Sequence, residues 1–150
     1  AQKKGEKPSR IFKYGTYFHD VKVTLNENVL NFKGVNKISK DDVRLIFLSS
    51  FGSTLISYHR QISSGKNELY FDPKQIQANK NKILSIIKYI LRIYEVDKDI
   101  CKNDSCYEDY DGMSFSYDMA NKAVTQIKIV KKNMIEINIQ ITGFKNAKEN

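Results

Sequence analysis

The 150-residue sequence predicts an α+β fold, an antiparallel sheet wrapped against one long helix. Three observations predict it. Residues 16–71 read as short strands separated by tight polar turns. A single amphipathic stretch ending at Tyr94 has helical period. Residues 113–142 then return to strand period, ending in Ile135, Ile137, Ile139 and Ile141 alternating with Glu136, Asn138, Gln140 and Thr142. The length suits one domain with a packed core, without room for two large ones.

In chain order, Val21, Val23 and Leu25 alternate with polar residues up to an Asn26-Glu27-Asn28 turn. Leu30, Phe32 and Ile38 then share one parity up to the turn Ser39–Asp42, so the two segments form a meander. Val43 to Leu48 is apolar on both parities, the pattern of a strand covered on both faces. Thr54 to Ile62 places Ile56, Tyr58 and Ile62 on one side, and a turn at residues 63–67 leads to a short strand, Glu68 to Phe71. Asp72-Pro73 carries a helix-start signal, with Asp72 as N-cap and Pro73 as first helical residue, so the helix is expected to run from there to Tyr94. Its apolar face is wider than a helix on a sheet needs: Leu84, Ile86, Leu91 and Ile93 flank the stripe Ile76, Ile83, Ile87, Ile90, Tyr94. Val96 to Gly112, acidic and containing both cysteines, reads as a loop. Strands are expected at Met113–Met119, Val124–Val130 and Met134–Thr142, the last two joined by the turn Lys131-Lys132-Asn133.

The polar ends, 1–10 and 145–150, are expected to be a tether and a tail around a domain at 11–144. No apolar run reaches the roughly 20 residues that span a bilayer, so a soluble chain is expected. A net charge of +8 favours anionic partners, phospholipid head groups or nucleic acid. Only Arg10, Arg44, Arg60 and Arg92 are arginines and no nucleic-acid-binding module is present, so no nucleic-acid partner is expected. Neither enzyme chemistry nor a cofactor is expected. His19 and His59 are not at ligand spacing, and no hydrolase, zincin, P-loop or dinucleotide pattern occurs. The acids between Asp97 and Asp111 do not follow calcium-loop order, so no metal is expected. Cys101 and Cys106 suit either a small disulfide ring in an oxidising compartment or two free thiols, with the disulfide favoured.

One stretch stands apart. In Val43-Arg44-Leu45-Ile46-Phe47-Leu48-Ser49-Ser50-Phe51-Gly52-Ser53-Thr54-Leu55, a large aromatic occupies a short turn where polar residues are the rule. This stretch, an Arg-Leu-rich strand running into an apolar residue and Gly-Ser-Thr, resembles the strand, protruding loop and strand of the LolA/LolB lipoprotein-localisation family. The order of elements over about residues 16–144 is also similar. The chain departs from the family in its shortness, its lack of Trp, its Cys-containing loop and the Phe at the tip, where the acceptor branch has Leu.

The resemblance implies a strongly curved sheet forming an incomplete β-barrel, with the helix as lid over an apolar cavity for acyl chains. It implies membrane insertion by Phe51 and Gly52; folding of Phe51 back over the barrel mouth is the alternative. The candidate cavity residues are Leu30, Phe32, Leu45, Phe47, Ile56, Tyr58, Ile83, Ile87, Ile90, Ile137 and Ile139, residue types that equally suit a solid core. On this reading the protein is a monomeric outer-membrane lipoprotein facing the periplasm, anchored by a lipid outside this chain. It accepts acylated lipoproteins from a periplasmic LolA-like carrier and delivers them to an anionic membrane surface. The alternatives are a soluble carrier or other lipid-binding lipoprotein, and a basic interaction domain with a solid core.

Overall fold

The computed structural model describes residues 10–76 and 79–147. Ten strands form one antiparallel sheet: β1 (Gly15–Leu25), β2 (Asn28–Ile38), β3 (Asp42–Leu48), β4 (Thr54–Gln61), β5 (Asn67–Phe71), β6 (Cys101–Lys102), β7 (Ser105–Tyr110), β8 (Met113–Ala120), β9 (Ala123–Lys131) and β10 (Ile135–Asn146). Their spatial order is β5-β4-β3-β2-β1-β10-β9-β8-β7-β6, so first and last strands meet in the middle and the sheet is not closed. The helix α1 (Lys80–Ile93) and a 3₁₀ turn (Lys98–Ile100) connect its two edges.

Alternation makes the strands. Tyr17, His19, Val21 and Val23 of β1 point inward between Phe32, Gly34 and Asn36 of β2 and Ile137, Ile139 and Ile141 of β10. The inner row continues through Ile127 and Ile129 of β9 to Phe115 and Tyr117 of β8. Register shifts at Phe18/His19, Phe47/Leu48 and Asp118/Met119 place irregularities along the sheet, and such bulges bend the strands that carry them. Two hairpins turn through paired left-handed residues, Asp111-Gly112 and Asn121-Lys122, the turn geometry that matches strand twist. Val43, Leu45 and Phe47 of β3 are buried inward, whereas Ile46 and Leu48 lie half-buried on the outer face. The outer face of β3 is therefore only half covered, short of the covering on both faces that the pattern predicts.

α1 buries Ile83, Ile86, Ile87, Ile90 and Ile93 in the same cluster as the inner sheet residues. Its start differs from the sequence expectation. The Asp72 carboxylate accepts the Lys74 N–H at 3.0 Å and its carbonyl accepts from Gln75 and Ile76, which closes a separate turn. The helix cap is Asn79, whose side chain accepts the Lys82 N–H at 2.9 Å.

The expected loop at 96–112 also differs. It contains the 3₁₀ turn and the β6–β7 hairpin, in which Cys101 pairs with Cys106 and the two are disulfide-bonded. The strand signal was hidden because Glu108 occupies an inward position. Its carboxylate is tolerated there because it pairs with the Arg92 guanidinium, which also lies over the Tyr110 ring at 4.2 Å. At the chain ends, β10 continues to Asn146, past the expected boundary at 144, while most of the expected tether lies outside the described residues. Ile62 follows the end of β4 and is 50% exposed rather than inward.

Removing the Asn79 cap should cost about 1 kcal/mol. Urea unfolding of Asn79→Ala is expected to show that loss. An unchanged midpoint would mean that the cap contributes nothing to the helix.

Candidate functional site

The turns β1–β2, β3–β4, β7–β8 and β9–β10 lie at one end of the sheet, and the N-terminal segment and the turns at 39–41, 63–66 and 121–122 at the other. The two ends are built differently.

The second end is plugged. Ile11 and Phe12 are buried, the Ile11 N–H donates to the Val96 carbonyl at 3.2 Å, and Arg10 donates to the carbonyls of Phe12 and Tyr94. Phe12, Tyr17 and Tyr94 form a ring cluster with centroids 5.0–5.8 Å apart. Burial pushes the Tyr17 hydroxyl up to about 12, against the opposing effects of its hydrogen bond to Lys13 and the charge of Arg10.

The first end carries the β3–β4 tip and a recess. Ser49 organises the tip: its hydroxyl accepts the N–H groups of Phe51 and Ser53 at 3.3 and 3.2 Å, its N–H donates to Ser53 O at 2.8 Å, and its carbonyl accepts from Gly52 at 2.9 Å. Gly52 adopts φ +85°, which closes the turn and which a residue with a Cβ adopts only under strain. Phe51 is left 95% exposed. The side chain does not fold back over the mouth, so the alternative of local packing is not what the loop adopts.

The recess, about 550 Å³, lies between the β1–β2 turn and the start of α1. Leu25, Val29, Leu30 and Met134 give it apolar walls, with Asn26, Asn28, Gln75 and Lys82 on its polar side. Leu25 and Leu30 pack against the core cluster, so the recess reaches the inner apolar face.

The other candidate cavity residues are placed together on that face. Leu45, Phe47, Ile83, Ile87, Ile90, Ile137 and Ile139 are 0–1% exposed, with Phe32, Ile56 and Tyr58 also buried. The residues of α1 and of the sheet belong to one buried cluster. A separate groove of about 420 Å³ crosses the outer face of β2, β1, β10 and β9. It carries the charged side chains of Asp20, Lys22 and Lys33 beside Asn31, Asn138 and Gln140.

Sequence reasoning missed one feature of the interior. His19 and Asn36, the buried polar residues of the sheet, meet Tyr94 at the C-terminus of α1. The Asn36 amide lies 2.5 Å from His19 Nε2 and donates to Tyr94 Oη at 2.7 Å, and Tyr94 Oη lies 3.3 Å from the same ring nitrogen. Gly34 makes this possible: a Cβ there would come within 2.6 Å of His19 Nδ1 and 3.0 Å of Nε2. Among the described residues, His19 Nδ1 and Asn36 Oδ1 have no hydrogen-bond partner. The signal was available, since both residues fall on the apolar parity of adjacent strands.

No family model matches the chain, and no curated protein matches it.

Burial holds the His19 imidazole down to about 4, against the raising effects of Asp20 and the Asn36 hydrogen bond. The unfolded chain therefore binds an extra proton between pH 6.5 and about 4, and stability falls as pH is lowered through that window. The loss is expected to be on the order of 3 kcal/mol. Urea unfolding across the window should show it, and His19→Gln should flatten the profile. A wild-type profile level between pH 6.5 and 4 would contradict the buried neutral ring.

Proposed function

We propose that this domain is a lipoprotein acceptor of the LolA/LolB type, held at the outer membrane and facing the periplasm. It takes the acyl chains of lipoproteins from a soluble carrier and delivers them to the membrane without covalent chemistry. The observation that carries this reading is Phe51: an aromatic side chain 95% exposed on a turn braced by Ser49 and Gly52. A side chain this exposed keeps nearly all of its apolar area available for a partner or a membrane to cover. Transferring a Phe side chain from water is worth roughly 1.5–3 kcal/mol, enough for transient contact with a bilayer and too little for anchoring. A tip of this kind touches and releases.

Two further features support the reading. The recess at the same end has a volume within the range of small-ligand sites and adjoins the apolar interior, so an acyl chain entering there meets Leu25 and Leu30 first. The Cys101–Cys106 disulfide fits an oxidising compartment such as the periplasm. On this reading an acyl chain separates α1 from the inner sheet face and takes the place of their mutual packing around Phe47, Ile87 and Ile139.

The burial of those residues in one cluster favours a second reading, a basic interaction domain with a solid core. A fluorescent fatty acid separates the two. The acceptor binds the probe with a stoichiometry near one and loses it in Ile87→Lys, with circular dichroism confirming the fold of the variant. Absence of probe binding by the wild-type protein would leave the solid-core domain.

The tip has its own test. Phe51→Glu should abolish transfer of acyl cargo to liposomes while changing stability by less than about 0.5 kcal/mol, because the side chain has no packing to lose. Phe51→Leu should retain most transfer, since the requirement is apolar area. Full transfer by Phe51→Glu would refute the role assigned to the tip.

A further inference from the structure

The contact with the membrane is wider than the β3–β4 tip. We infer that the whole open end of the sheet is a docking face for an anionic phospholipid bilayer, in which Val29 and Met134 enter beside Phe51 and Lys131 and Lys132 contact lipid phosphates. This inference rests on the reading of Phe51 as a membrane tip and extends it to residues on β2 and the β9–β10 turn.

Topology puts these residues at one end. Met134 closes the β9–β10 turn, its N–H donating to the Lys131 carbonyl at 3.0 Å, and the next residue, Ile135, pairs with Leu25 at the end of β1. Val29 lies opposite Thr24, one residue into β2 from the β1–β2 turn. Both line the recess that leads to the inner face. The β3–β4 hairpin leaves the sheet beyond the Lys33–Leu48 pair and extends along the same part of β2, with Ser50 sharing a groove with Asn31 and Phe32.

Exposure and charge identify the occupant. Phe51 is 95% exposed, Met134 56% and Val29 48%, all at this end and none of them covered. Lys131 and Lys132 are exposed in the turn that carries Met134, and Lys74, Lys80 and Lys82 are exposed around the start of α1. The acids nearby are fewer: Glu27 and Asp72 stand among these lysines, while Glu136, beside Lys131 and Lys132, is paired with Lys128 at 3.5 Å and Asp111 with Lys88 at 2.6 Å. Apolar groups that project from a rim of lysines match a surface with phosphates above and acyl chains below. A bilayer offers one continuous apolar layer that three separate projections can enter at once, beneath the phosphates that the lysines meet.

Sedimentation with vesicles tests the face. Wild-type protein is expected to bind vesicles of phosphatidylcholine with phosphatidylglycerol more tightly than pure phosphatidylcholine vesicles, and to lose that preference as salt is raised. Lys131→Ala combined with Lys132→Ala should weaken binding to the anionic vesicles by about thirtyfold. Met134→Glu and Val29→Glu should each weaken binding to both kinds of vesicle. Loss of binding in Phe51→Glu, with the Val29, Met134 and lysine variants binding like wild type, overturns the inference and leaves the tip reading intact. Loss in the Val29, Met134 and lysine variants with Phe51→Glu unaffected supports the docking face and removes the tip. A wild-type protein that dimerises without vesicles, and is made monomeric by Met134→Glu, overturns the inference in favour of a second copy as the occupant.

Discussion

The structure depends on one burial. A ten-stranded antiparallel sheet that bends without closing has an inner apolar face that its own strands cannot cover, and α1 covers it. Each isoleucine that α1 places there is worth roughly 1.5–3 kcal/mol relative to exposure, so helix and sheet are stable only together. This accounts for the unusual width of the helix face, since a helix set into a curved sheet meets apolar groups on more than one side. β5 and β6 stand at the two ends of the strand order and are joined through the helical connection.

The helix is held unequally along its length. In its last turn, Arg92 binds Glu108, Tyr94 accepts from Asn36, and Arg10 grips the Tyr94 carbonyl. At its first turn the side-chain contact is the Asn79 cap on its own backbone. The Lys88–Asp111 pair between them is exposed and worth little. The polar cluster of His19, Asn36 and Tyr94 thus concentrates specific bonds at the plugged end, away from the recess and the exposed tip. Burying His19 and Asn36 without full hydrogen bonding is costly, and Gly34 shows how closely the surrounding backbone fits the ring.

Most of the sheet was legible because alternation in β1, β2, β9 and β10 is clean and inward positions are apolar. What misled was local chemistry answering a local need. Asp72-Pro73 has the residues of a helix start, but they close a single turn and Asn79 caps the helix. β7 was hidden because Glu108, an inward residue, relies on an arginine sixteen positions away on the helix. His19 lay on an apolar parity and was read only for metal spacing, although its partner Asn36 lay on the matching parity of the next strand. At the candidate site, the sequence singled out Phe51 and left its direction open. Direction is set by the hydrogen bonds of the Ser49 hydroxyl and backbone together with the left-handed Gly52, a geometry that the residue pattern alone does not specify.

An open sheet offers other chains two unpaired edges on which to polymerise. Here the strands of the interior run to eleven and twelve residues, whereas the edges are β5, with five, and β6, with two. The shorter edge is tied back to β7 by the disulfide. The edge backbone that remains is short, β5 on one side and β6 with residues 107–110 of β7 on the other. A protein made in this way displays apolar side chains at the ends of its turns while offering only short edges to strand addition, which narrows that route to aggregation at the margins of the sheet.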